Sequence, residues 1–149
     1  MFLFCPRTCS CYTGVFAISV NGVVNWDLYK KGGINTDRLI EFLENNITSK
    51  LRNKLIILDN ASAHRNERIK ALVNKHNNIL YAVPYQHFTN SIENYFSMLK
   101  SRLLKLYGLK YENLKENIQK AISEIPKEIY SKVFTKDWKN MFQRIKHEK

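Results

Sequence analysis

Acidic side chains are scarce in this 149-residue chain, 13 against 24 lysines and arginines, so each position can be weighed singly. Of the four aspartates, Asp27, Asp37, Asp59 and Asp137, Asp59 is the one that directly follows an unbroken apolar run, Leu55-Ile56-Ile57-Leu58. Such a run suits a strand buried on both faces of a sheet. The crevice beyond the carboxyl ends of parallel strands is where open α/β sheets receive ligands. An aspartate there equally serves as a turn former, bonding its own downstream backbone. Glu93 poses the same choice. Asn90-Ser91-Ile92-Glu93 has the spacing of a capping box, in which the glutamate reaches back to the start of its helix. In the first turn of a helix packed through Ile92 and Phe96, it would also lie at the rim of the buried face and point towards the helix start. If that start lies beside the end of the Asp59 strand, the two carboxylates converge. Paired hard-oxygen ligands suit Mg2+, which takes one or two carboxylates plus substrate phosphate. Two such ions about 4 Å apart would stabilise the attacking and leaving oxygens of an in-line displacement on a phosphodiester.

The charge balance points to the same kind of substrate. A 17.6 kDa chain with a formal charge of +11 and a pI near 9.6 is matched by an anionic polymer, nucleic acid above all. Lys100, Arg102 and Lys105 follow Glu93 on its helix and are candidates for DNA backbone contacts, the alternative being a solvated helix face. With 44% hydrophobic residues, 5 glycines and 3 prolines, the composition excludes a disordered or low-complexity chain. No apolar run approaches the roughly 18 residues of a membrane span, so a soluble intracellular protein is expected, in nucleoid or nucleus according to host. Cys5, Cys9 and Cys11 are the whole cysteine complement. Their odd number and tiny loops argue against a disulfide framework, and C-x3-C-x-C offers three ligands where structural zinc takes four. They read as free thiols in a poorly constrained segment, residues 1–11.

The elements that would position these groups follow from periodicity. A largely apolar strand begins at Tyr12, stops at Asn21-Gly22, a strong hairpin signal, and returns as Val23 to Tyr29. Asn35 or Thr36 caps a helix with Leu39, Ile40, Leu43 and Ile47 on one face. The buried strand 55–58 is followed by a helix marked by Ile69, Leu72, Val73 and His76 and by a strand from Ile79 to Val83, a succession that implies a right-handed crossover and a parallel pair. The rest is helical: one helix opened by Asn90 and carrying Tyr95, Phe96, Leu99 and Leu103, one with Leu114, Ile118 and Ile122, and a last one with Trp138, Met141, Phe142 and Ile145. The aromatics Tyr107, Tyr111, Trp138 and Phe142 read as core or an oligomer contact. The expectation is a single α/β domain over residues 12–149.

The block Leu58-Asp59-Asn60-Ala61-Ser62-Ala63-His64, with Val83-Pro84-Tyr85-Gln86-His87-Phe88-Thr89-Asn90-Ser91-Ile92-Glu93 and Tyr95-Phe96-Ser97-Met98-Leu99-Lys100, resembles the catalytic domain of mariner-type and related bacterial insertion-sequence transposases. Their pattern is D-N-A-x-x-H, then P-Y-S-P-x-x-N-P-I-E leading into a helix. The resemblance covers roughly residues 12 to 125. It implies an RNase H-like fold of the DDE class, and a triad of Asp, Asp and Glu or Asp that holds two Mg2+ or Mn2+ ions. It also implies DNA as partner, at transposon ends and target, with cleavage and strand transfer as the reaction. Asp59 matches the second triad carboxylate and Glu93 the third, 34 positions later. Asn60, His64 and Asn90 match the residues that support the motif.

The departures are as informative. Pro84-Tyr85-Gln86-His87 and Asn90-Ser91-Ile92-Glu93 lack prolines of the pattern, which loosens a loop without removing chemistry. The first carboxylate of the family lies on the central strand upstream of the hairpin. Here Asp27 falls on the second hairpin strand and Asp37 at a helix start, and Met1 to Cys5, though apolar, contain no carboxylate. The expectation is therefore an N-terminally truncated domain, lacking the central strand and the family's helix-turn-helix module, with unpaired strand edges where that strand would sit. Such a chain is either an incomplete transposase whose first aspartate comes from an upstream fragment, or an inactive relic acting at most as a DNA-binding or assembly module, and a homo-oligomer is a further candidate partner.

Overall fold

In a computed structural model of the chain the described residues are 2–4, 7–9, 12–30, 32–59, 61–81, 88–106, 111–132 and 134–135. They fall into two compact units, Met1–Ile18 with Val23–Pro84, and Ser19–Gly22 with Tyr85–Lys149.

The first unit is built on a mixed sheet. β3 (Tyr12–Ser19) and β4 (Gly22–Tyr29) form the expected hairpin. Its turn differs in detail from the Asn-Gly expectation: Gly22 has φ of 132°, whereas Asn21 keeps a negative φ. Ser19 closes the turn instead, its Oγ accepting from the Asn21 N–H and donating to the Gly22 carbonyl, both at 3.2 Å. β5 (Leu55–Leu58) and β6 (Asn78–Tyr81) pair in parallel, as the crossover rule requires. The expected strand end at Val83 lies outside the described residues.

The central position, expected to be empty, is filled. β1 (Phe2–Phe4) runs antiparallel to β3, with Phe2 opposite Ile18 and Phe4 opposite Phe16, and parallel to β5, with Leu3 beside Leu58. β2 (Arg7–Cys9) continues along β3 at Tyr12 and Thr13. Three apolar residues thus satisfy backbone groups of both neighbours, and the unpaired edges foreseen there do not arise. Cys5 and Cys11 lie outside the described residues.

Two helices cover the sheet. α1 (Thr36–Leu43) opens on Asn35, whose side chain accepts the Arg38 N–H at 2.9 Å, and runs into a π-helical turn at Glu44–Thr48. α2 (Glu67–Asn74) opens in the same way on Asn66. Leu39, Phe42, Leu43 and Ile47 from the first helix, Ile69 and Val73 from the second, and Val15, Ala17, Ile56 and Leu58 from the sheet make one fully buried core. Asn35→Ala removes an N-cap and should lower the unfolding free energy by about 1 kcal/mol in urea titrations, with Asn35→Asp close to wild type.

The second unit is helical. α3 (Phe88–Lys105) packs against α4 (Tyr111–Ser123). Tyr95, Phe96, Leu99 and Leu103 are buried on the one, and Leu114, Ile118 and Ala121 on the other. Tyr95 stands edge-on to Phe96 at 5.2 Å and shares a hydroxyl contact of 3.3 Å with Tyr130. Burial, and then the bond to Tyr130, raise the Tyr95 phenol far above its ordinary range. α3 starts before Asn90, not at it, so the capping-box reading of Glu93 is overturned: Glu93 sits in the second turn. Residues 82–87, Tyr107 and the stretch with Trp138, Met141, Phe142 and Ile145 lie outside the described residues. No helix among the described residues is long and apolar enough to cross a membrane.

Candidate functional site

β5 is apolar on both faces, with Ile56 and Leu58 fully buried, and it delivers Asp59 to the carboxyl end of the parallel pair. There the chain turns sharply. Asp59 Oδ1 accepts the Ala61 N–H at 3.2 Å, and the same oxygen meets Nδ1 of His64. His64 ends a short 3-10 turn, Ser62–His64, and is 2% exposed, whereas the Asp59 side chain is 31% exposed. The two readings of Asp59 are therefore compatible: one oxygen organises the turn while the group still reaches solvent. The turn is braced from α1, whose first residue, Thr36, donates its hydroxyl to the Ala63 carbonyl at 3.1 Å. His64 is buried in this turn with its Nδ1 against the Asp59 carboxylate.

Tyr81 is a residue that sequence reasoning passed over. It ends β6 beside Leu58. Partial burial raises its phenol pKa, the Glu67 carboxylate raises it further, and Arg65 opposes both. It stands at the sheet end that carries Asp59. Position at a strand terminus was the available signal, obscured because the apolar run continues to Val83.

The other aspartates of the sheet unit are engaged elsewhere. Asp37 pairs with Arg68 at 2.9 Å on the surface, and Asp27 accepts the Leu28 N–H at 2.7 Å on β4. Asn60 lies outside the described residues. Asn90 lies within α3, and its side chain is outside them too. In the helical unit Glu93 is exposed, turned away from the row formed by Tyr95 and Leu99. Lys100 and Lys105 are exposed as well. Arg102 is half-buried, and its charge pulls the Tyr95 and Tyr130 phenols down against their burial.

A divalent-cation site needs more than this. Among the described residues no group of three or more His, Cys, Asp or Glu side chains could hold a metal ion. The parallel register sets Phe2 beside Ile57 and Leu3 beside Leu58, and β1 is Phe-Leu-Phe throughout. The strand beside β5 thus carries no carboxylate. The residues in hand do not fit a complete three-carboxylate site.

The sequence matches the family described as DDE superfamily endonuclease over residues 12–116. The chain belongs to this family. Its fold is similar to that of the catalytic domain of Mos1 mariner transposase, with a TM-score of 0.79 at 16% identity, covering 93% of this chain and 76% of that one. The Mos1 mariner paired-end complex with Mn gives a TM-score of 0.73 at 18% identity, covering 87% of this chain and 41% of that one. The simian T-cell lymphotropic virus intasome in complex with PP2A regulatory subunit B56 gamma gives 0.62 at 16% identity, covering 78% and 45%. No curated protein matches the chain. The α/β, RNase H-like fold expected for this DDE endonuclease chain is the one observed.

Proposed function

We propose that this DDE endonuclease chain is the catalytic domain of a DNA transposase, with DNA as its partner and Asp59 and Glu93 in the roles of second and third carboxylate. The observation that carries the reading is Asp59 itself, solvent-reaching at the carboxyl end of β5 within the span matched to the family. His64 is its positioning residue. Asn60 and Asn90 are motif-supporting residues. A Mg2+ or Mn2+ pair held by a full carboxylate set would supply the cleavage and strand-transfer chemistry. Asp59 and Glu93 would be this chain's share of those ligands.

The apolar β1 favours a second reading beside the first. With no carboxylate on β1, the chain works as a DNA-binding or assembly module until one is supplied from elsewhere, by an upstream fragment or another copy. Both readings require DNA binding, which the net charge of +11 supports. Lys100 and Lys105 are the α3 cations free of the tyrosine pair. If they contact phosphate, neutralising both should reduce the slope of log affinity against log salt by about 2 units, at roughly 0.9 per contact. Fluorescence anisotropy with a short duplex across a salt series measures it. An unchanged slope removes α3 from the DNA contact, and absence of any duplex binding removes the functional reading.

A further inference from the structure

The sheet unit has a second charged end. Two loops lie at the amino ends of β5 and β6, the pole away from Asp59: residues 49–54, before β5, and residues 75–77, before β6. They are far apart in sequence and tied together in space. The Asn53 N–H donates to the His76 carbonyl at 2.8 Å, and the Asn78 N–H to the Lys54 carbonyl at 2.8 Å. Asn77, 5% exposed, cross-braces them: its Oδ1 accepts the Lys54 N–H at 3.0 Å and its Nδ2 donates to the Leu51 carbonyl at 2.9 Å. Asn53 takes a φ of 57°, which tightens the first loop.

The two braced loops carry Lys50, Arg52, Lys54 and Lys75, all exposed, and none of the four is in an ion pair among the described residues. The chain has no acidic residue between Glu44 and Asp59, nor between Glu67 and Glu93. Lys54 and Asp59 are five steps apart on an extended strand, about 16 Å at 3.3 Å per residue. That exceeds a physiological Debye length of about 8 Å, so the Asp59 carboxylate does not offset the cluster. The backbone is fixed while the cationic ends remain in water. A preorganised set of cations of this kind suits a regular array of phosphates, and duplex DNA presents one charge per about 1.7 Å of its axis.

We infer that this pole is a phosphate-backbone contact for duplex DNA, separate from the Asp59 end and from the cations of α3. The inference rests on the reading of DNA as partner. It gives the sheet unit two DNA-facing ends, one bearing the carboxylate and one purely electrostatic. The contact carries no base readout, so it is indifferent to sequence.

The test is duplex binding by the full chain across a salt series from about 50 to 200 mM. Combined Lys50→Gln, Arg52→Gln, Lys54→Gln and Lys75→Gln should reduce the log-log slope by about 3 to 4 units and weaken binding at least about tenfold at the low-salt end. Lys54→Gln and Lys75→Gln alone should each remove about 1 unit, which reads the contact even if the fourfold variant folds poorly. The set Lys50→Arg, Lys54→Arg and Lys75→Arg should retain the wild-type slope. Wild-type binding with a slope untouched by the fourfold and single variants overturns the pole contact and leaves the DNA reading standing. Failure of the wild-type chain to bind duplex overturns both.

Discussion

His64→Ala is expected to destabilise the sheet unit by about 2–4 kcal/mol in urea unfolding. It leaves a cavity in a site that is 2% exposed and takes away the group that meets the Asp59 carboxylate. The loss should not be a packing effect alone. Asp59→Asn, at a side chain 31% exposed, should cost much less by itself. In the double variant the effects should fail to add, with a coupling of at least about 0.5 kcal/mol, as for residues in direct contact. A coupling near zero would show that the imidazole merely fills space. The wider consequence concerns geometry. Asp59 is held by a backbone amide two residues on, by a buried imidazole five residues on and by a turn that Thr36 braces. A carboxylate restrained in this way keeps its place in the absence of ligand, which is how a functional group is preorganised.

Parts of this arrangement are legible in the sequence because their causes are local. Leu55 to Leu58 reads as a doubly buried strand since no polar residue interrupts it, and Asp59 is then at the strand end by simple counting. Asn35 announces α1 through the same cap it makes in the structure. The hairpin is announced by Asn21-Gly22, although Ser19 shapes the turn and Gly22 alone takes positive φ.

What was not legible depends on partners distant in sequence. Phe2 to Phe4 is too short to show a period, and only β3 and β5 on either side make it a strand. The capping logic of Asn90 to Glu93 is sound as spacing, yet α3 begins at Phe88 and leaves Glu93 exposed in its second turn. Arg102 reads as one of three equivalent cations, while the buried Tyr95 and Tyr130 hydroxyls give it a different setting from Lys100 and Lys105. The basic pole is invisible in sequence for the same reason. The loops that carry Lys54 and Lys75 are joined through Asn77, whose buried amide reads as an ordinary loop residue.

The register around Asp59 also sets what the chain can do. Strand β1 fills the central position and so restores the sheet, but it brings phenylalanine and leucine where the resemblance asks for a carboxylate. Fold and chemistry are thereby separated: among the described residues the central strand is present, and it carries no carboxylate.

The direct measurement is nicking and strand transfer on supercoiled plasmid by the purified 149-residue chain with Mg2+ or Mn2+. Duplex binding without cleavage is expected, with no difference in product between wild type and Asp59→Ala. Nicked or joined product that appears with the wild-type chain and disappears with Asp59→Ala would contradict it.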